Sequence, residues 1–445
     1  MMGYIVYFNA VRSKDMINNP HNVRLDSMAD RVVRGSILDD AGNVLAETIV
    51  AEDGTESRYY PYGKLYAHVV GYDAMGKSGL ESTENFDLLT SNAFFLERLA
   101  KEIREEKNIG DNIVTTLNTE LQQTAYDALG NYKGAVVVME ASTGKILAMV
   151  SKPTYNPNTI IDDWDWLTTD ENSSMLNRAT QGAYAPGSIF KVVTTLEYIR
   201  ENENYADYSY ECDGEITQGD TTIHCANNRV HGTEDLASSL ANSCNASYSK
   251  IGLSLNLGSF RETAKDLLFN SKLPSELPYS QSKFQLTKDS SESEVMMTAI
   301  GQGKTQVSPY HMALITSAIA NGGTLMKPYL VSEIVNYKGV SIDKNLPSKY
   351  GSLMTSEEAS QLKNYMMEVI ENGTGKALSG ESYSVAGKTG TAEYSSDKEK
   401  SHSWFMGFSN VENPELVVSV VVESADGSGM SAISVAKKVL NAYYY

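Results

Sequence analysis

The chain has 445 residues, of which 41% are apolar and 21% charged, an ordinary globular composition with length for two or three domains. Its formal net charge of −19 excludes nucleic acid as a partner, because phosphates would be repelled, and also excludes a basic membrane-binding patch. No run of about 18 apolar residues is present, so no segment reads as a bilayer span, and no secretory signal with an apolar core is visible.

The first residues, Met1-Met2-Gly3 ahead of Tyr4-Ile5-Val6-Tyr7-Phe8, read as the stub of a chain cut just after a transmembrane anchor. Residues 4–30 read as a polar helix or arm, broken at Asn19-Pro20. Two short apolar stretches flank Asp39-Asp40-Ala41-Gly42-Asn43 and predict a hairpin. The pattern G-x-x-x-x-G-K-S is met on paper by Gly71, Gly76, Lys77 and Ser78. The stretch before it is a weak strand and Gly79 is a poor helix start, so a structural turn is expected there, not a nucleotide site. A charged helix is predicted over 97–107, a strand over 112–117 and a helix over 119–132, with a domain boundary near 112. This divides the chain into residues 1–111 and 112–445.

Two β-branched runs, 134–139 and 146–150, predict a hairpin whose continuous apolar character means both faces are covered. Residues 153–181 read as loop, with Pro153, Pro157 and the Trp164/Trp166 pair. An apolar run at helical spacing then starts at Tyr184-Ala185-Pro186-Gly187-Ser188-Ile189-Phe190-Lys191. Ser188 is expected at a helix start, with Lys191 on the same face three residues later. Residues 202–230 read as a polar surface excursion. A helical stretch over 236–253 is broken at Asn242-Ser243-Cys244-Asn245, and a polar loop is expected over 271–294. Helices are predicted over 308–321 and 356–371, strands over 384–393, 403–408 and 416–422, and a closing helix over 430–443. The first hairpin and the last three strands would form one antiparallel sheet of about five strands covered by helices, an α+β fold.

Serine is a weak nucleophile until a base takes its proton, and a buried lysine can be that base. On this reading Ser188 attacks a carbonyl, Lys191 takes the proton, and the amides of Ser188 and Thr391 hold the oxyanion. Ser243 lies 55 residues after Ser188, and Lys388 145 residues after Ser243. Ser243 and Asn245 would supply a proton-relaying hydroxyl and an amide for the substrate. Lys388 and Thr389 present a cation and a hydroxyl to a substrate carboxylate, and Gly390 lets a substrate backbone lie close along the strand. Three cysteines are present: Cys212, Cys225 and Cys244. The first two are 13 residues apart, with His224 and His231 nearby. Free thiols, a disulfide and zinc are all compatible with that spacing, and neither a metal nor another cofactor is assigned to the site.

S-x-x-K, then S-x-N, then K-T-G, in that order, is the signature of penicillin-binding proteins and serine β-lactamases. The chain resembles a class B penicillin-binding protein of the short type, without a C-terminal accessory domain. Arg34-Gly35-Ser36-Ile37, Gly79-Leu80-Glu81, Asn177-Arg178-Ala179, Gly301-Gln302-Gly303 and Lys388-Thr389-Gly390-Thr391-Ala392-Glu393 carry the resemblance. Ala185 and Ile189 depart from it, standing where the family often has Pro and Thr. The resemblance implies a penicillin-binding/serine β-lactamase-like transpeptidase domain on an elongated N-terminal pedestal. It implies D,D-transpeptidation of peptidoglycan stem peptides ending in D-Ala-D-Ala, and acylation of Ser188 by β-lactam antibiotics. It further implies anchoring at the outer face of the bacterial cytoplasmic membrane beside a glycan synthase. A D,D-carboxypeptidase and a β-lactam-binding sensor without turnover are the alternatives.

Overall fold

The computed structural model describes residues 29–393, 401–425 and 429–445. The expected arm over 4–30 therefore lies almost wholly outside the described residues.

The sheet that carries the site has five antiparallel strands. Their spatial order is Val385–Glu393, Ser401–Ser409, Leu416–Val422, Gly134–Glu140, Ile146–Lys152. The strand with Lys388 is thus an edge, next in chain and in space to its hairpin partner. Side chains alternate between the two faces, and the continuous apolar strands divide accordingly. Val137, Met139, Val417 and Val421 pack on one side, toward the helices Pro309–Ala320 and Arg178–Gln181. Val136, Val138, Val418, Val420 and Val422 pack on the other, under Thr119–Ala128 and Ala432–Tyr444.

A second sheet has six strands, in the order Ser341–Lys344, Val331–Val335, Asn112–Thr115, Ile37–Leu38, Val44–Val50, Glu56–Tyr59. The expected hairpin around residues 39–43 is present. Ile37 pairs with Ala46, and the Asp39 carboxylate accepts the amides of Ala41 (3.0 Å) and Asn43 (2.7 Å), closing the turn through its side chain. Strand Asn112–Thr115 runs parallel to Ile37–Leu38 on one side and antiparallel to Val331–Val335 on the other. The N-terminal strands are therefore completed by a hairpin from far down the chain.

Beside this sheet, fully buried Glu81 lies between two arginines. Arg34 Nη2 is 2.6 Å from its Oε2, and Arg58 Nε is 2.7 Å from its Oε1. Burial alone would raise the Glu81 pKa. The two guanidinium charges and their hydrogen bonds outweigh it, and the net shift is downward. Gly71 and Ser78 meet backbone to backbone here, where a Cβ on Gly71 would lie 1.9 Å from the Ser78 carbonyl oxygen. Of the glycines in the apparent phosphate loop, Gly71 is a packing position and Gly76 a turn position with φ +100°.

The expected loop over 153–181 contains a helix, and a second helix, not expected, starts where the loop over 271–294 ends. Ile160–Thr169 is helical because Pro157 starts a 3₁₀ turn that leads into it, and Asp162 and Asp163 occupy its first turn. Glu292–Ala299 is helical, started by a capping box between Ser291 and Glu294. The excursion over 202–230 is not featureless. It holds two small antiparallel ribbons, Glu215–Gln218 with Thr221–His224, and Tyr210–Cys212 with Gly232–Glu234. Strands of three or four residues are too short to leave a period in the sequence. Among the described residues, no helix is long and apolar enough to cross a membrane.

Candidate active site

Ser188 sits on a 3₁₀ turn, Gly187–Phe190, that leads into the α-helix Lys191–Glu201. It was expected at the start of an α-helix. The tighter turn follows from clamping on both sides. Gly187 has φ +56°, and a Cβ there would lie 2.2 Å from the carbonyl oxygen of Thr391. Its amide donates to Gly301 O at 2.8 Å, and a Cβ on Gly301 would come within 1.9 Å of Gly187 O. Gly390 completes the contact, since its missing side chain leaves room for the Ile189 amide nitrogen, 3.1 Å from where a Cβ would sit. The nucleophile turn is thus pressed between the Gly301-Gln302-Gly303 turn and the Lys388-Thr389-Gly390-Thr391 edge strand.

The approach to Ser188 is braced from the sheet. Trp404 Nε1 donates to Ala185 O at 3.1 Å. Arg178 Nε and Tyr184 Oη both donate to Glu423 Oε1 at 2.7 Å. Sequence reading singled out Arg178 but missed Glu423, Tyr184 and Trp404, because pairings across more than 200 residues leave no local pattern.

Ser243 lies between the helices Leu236–Ala241 and Asn245–Ser254 with φ +57°, a left-handed conformation that breaks the helical stretch where the sequence placed the break. Two lysines, each fully buried, converge on its hydroxyl. Lys191 Nζ is 3.2 Å from Ser243 Oγ and Lys388 Nζ is 3.0 Å from it. Lys191 also donates to Ser243 O and Asn245 Oδ1, both at 2.7 Å. Asn245 in turn donates through Nδ2 to His224 O at 2.9 Å. Lys191 was expected to reach Ser188. Instead three oxygens of the Ser243 loop take its N–H groups, and among the described residues Ser188 Oγ has no hydrogen-bond partner. Ser188 itself is half-buried, open to a substrate.

Burial drives the Lys191 pKa down to about 7, with the nearby Cys244 and Cys225 thiols opposing the shift. Burial also lowers Lys388 well below its ordinary value, and the charge of Lys191 adds to this. Two ammonium groups sharing one hydroxyl in a dry site repel each other, so an amine free to take a proton near neutral pH is physically reasonable. Lys388 also donates to Thr389 O at 2.9 Å. Its buried ammonium is directed to Ser243, whereas the sequence reading set Lys388 beside Thr389 as a cation for a substrate carboxylate. Thr389 is half-exposed. Its hydroxyl lies 2.6 Å from that of Thr374, a residue that sequence reading missed. Gly373, just before it, packs its backbone on Ala241 O, which brings the end of Ser356–Glu371 to the Ser243 loop.

The three cysteines are unbonded thiols gathered behind this loop. His231 faces them, whereas His224 turns to Glu215, with Nδ1 and Oε2 2.9 Å apart.

The chain is similar to known proteins along nearly all of its length. The family described as the penicillin binding protein transpeptidase domain matches residues 134–444, and the penicillin binding protein A dimerisation domain matches residues 34–113. The peptidoglycan D,D-transpeptidase PbpA of Mycolicibacterium smegmatis is 31% identical over 90% of this chain and 87% of that protein. The D,D-transpeptidase domain of a peptidoglycan glycosyltransferase from Eggerthella lenta superposes with a TM-score of 0.83 at 31% identity, over 93% of this chain and 98% of that one. Penicillin-binding protein A from Mycobacterium tuberculosis, solved as an imipenem acyl-enzyme complex, superposes with a TM-score of 0.84 at 27% identity, over 94% of this chain and all of that one. With the transpeptidase-domain family matching residues 134–444 and the Mycolicibacterium smegmatis relative 31% identical over 90% of the chain, the chain belongs to the penicillin-binding protein transpeptidase family.

Proposed function

We propose that the protein is a peptidoglycan D,D-transpeptidase that works through an acyl-enzyme on Ser188 and is inhibited covalently by β-lactams. The observation that carries this reading is the convergence of two buried amines on Ser243, beside a serine turn clamped to an edge strand. A stem peptide ending in D-Ala-D-Ala adds along the open side of Val385–Glu393, where Gly390 permits close approach and Thr389 meets the terminal carboxylate. Ser188 Oγ attacks the penultimate carbonyl, and Lys191 takes its proton. The oxyanion is held by the amides of Ser188 and Thr391. Ser243, its hydroxyl oriented by Lys388, passes a proton to the departing D-Ala amine, while Asn245 binds the peptide group. An amine of a second stem peptide then takes the acyl group. A β-lactam enters the same path, but its leaving amine stays tethered and obstructs the acceptor.

Residues 1–111 serve as the non-catalytic pedestal and 112–445 as the transpeptidase domain. The reaction is placed by its substrate at the outer face of the cytoplasmic membrane, with a membrane glycan synthase supplying the strands to be joined.

Labelling with a fluorescent penicillin, on wild type and Ser188→Ala, tests the reading. Stoichiometric label that persists for hours and is abolished in Ser188→Ala is expected. Label that vanishes within seconds indicates a β-lactamase, and absence of label on folded protein overturns the mechanism. Incubation of a stem-peptide substrate with an amine acceptor then separates transfer from hydrolysis, which would mark a carboxypeptidase.

A further inference from the structure

The excursion between Lys191–Glu201 and the Ser243 loop has few apolar residues and only short ribbons, yet it closes on a cluster that catalysis does not use. Cys212 ends one ribbon strand, Cys225 follows Thr221–His224, His231 precedes Gly232–Glu234, and Cys244 caps the helix Asn245–Ser254. The ligand atoms of these four residues all lie within 4.8 Å of one another. Cys212 and Cys225 sulfurs are 3.7 Å apart, as are those of Cys225 and Cys244, and Cys212 Sγ is 3.4 Å from His231 Nδ1.

These separations discriminate between the three readings of the cysteines. A disulfide needs sulfurs about 2.0 Å apart. Tetrahedral zinc, with Zn–S about 2.3 Å and Zn–N about 2.0 Å, sets its ligands about 3.8 Å apart for a sulfur pair and about 3.5 Å for sulfur and nitrogen. Both values match. Apolar packing with Ala246, Tyr210 and Ile216 buries the thiols but does not call for an imidazole nitrogen 3.4 Å from Cys212 Sγ. The start of the following helix adds a donor beside Cys244. The Ser247 amide points at Cys244 Sγ from 3.4 Å, at the positive end of a ten-residue helix.

We propose that Cys212, Cys225, His231 and Cys244 form a structural zinc site that staples the 210–234 ribbons to the loop presenting Ser243 and Asn245. Three ligands come from the ribbons and the fourth stands between the two active-site residues. With four protein ligands the site has no open position, so its role is to hold the loop and not to activate water. Soft sulfur donors with one imidazole select zinc over calcium or magnesium.

The test is metal analysis of the full chain purified without chelator, with cobalt(II) exchange as a second readout. About one zinc per chain is expected, together with the intense visible bands of tetrahedral thiolate-ligated cobalt. Cys212→Ser and His231→Gln should each lower zinc content at least tenfold. His231→Gln, on a half-buried residue, guards against a cysteine variant that fails to fold. A strong chelator should lower the melting temperature of wild type but not of His231→Gln. Three outcomes overturn the proposal: zinc below about a tenth per chain in folded wild type, a thiol titration of one instead of three after denaturation in chelator, or zinc content unchanged in both variants.

Discussion

The state of Lys191 makes the rate of acylation a titration curve. A base must be unprotonated to act, and burial brings Lys191 to about 7. With that value roughly 9% of the protein carries a neutral amine at pH 6 and roughly 91% at pH 8, a tenfold rise. An ordinary lysine near 10.4 would be only about 0.4% neutral at pH 8, so the dry pocket raises the reactive fraction there by roughly 200-fold. The assay is the second-order rate of fluorescent-penicillin acylation from pH 5.5 to 9, by stopped flow or timed quench. A single rise with its midpoint near 7 is expected. Lys191→Arg, which keeps the charge but cannot release its proton, should lose at least about 100-fold at every pH, with its fold verified by circular dichroism. A flat profile, or a midpoint above 9, would refute the assignment of Lys191 as the base.

Glu81→Gln leaves two buried arginines facing a neutral group and should cost about 3–5 kcal/mol in denaturant unfolding. Because the folded pKa of Glu81 is lowered, its contribution is present above pH about 4.5 and is lost as the pH falls below that. Gly187→Ala introduces a Cβ into the Thr391 carbonyl at a left-handed φ, so acylation should fall at least about tenfold. His311 is fully buried, bonded through Nε2 to Leu267 O at 2.6 Å, and burial brings its pKa down to about 4 from 6.5. Its neutral form stabilises the fold fully above pH 6.5, and roughly 3 kcal/mol of that should be lost as pH falls to 4. Equilibrium unfolding at stepped pH measures this, and His311→Gln should flatten the slope.

The catalytic sheet was legible because its strands are long, apolar and linked by short turns, which is where a period of two and its interruptions are strongest. The site was legible because its chemistry is concentrated in three short runs, each with its own backbone requirement: a glycine before Ser188, a helix break at Ser243, a glycine after Thr389. What those runs do not encode is the aim of long side chains. Lys191 and Lys388 are both directed to Ser243 by acceptors from another segment, and nothing local distinguishes that from Lys191 facing Ser188 or Lys388 facing solvent. Glu423, Tyr184 and Thr374 were missed for the same reason. The helix Ile160–Thr169 was hidden by Pro157, read as a breaker although it stands at an entry where proline is tolerated. Cys212, Cys225 and His231 follow no regular ligand spacing, since three separate strand ends bring them together.

The shared six-stranded sheet imposes an order on biosynthesis. Ile37 meets Ile113 early, but the next partner, Ile334, leaves the ribosome about 220 residues later. Until then one side of Asn112–Thr115 presents unpaired amides and carbonyls, a template for pairing with the wrong chain. Synthesis of Gly134–Glu140, Ile146–Lys152 and the segments carrying Ser188 and Ser243 intervenes before this sheet can close. The N-terminal strands thus stay incomplete until after the Ser188 and Ser243 segments have emerged, and a nascent chain stalled anywhere before residue 331 carries an open edge.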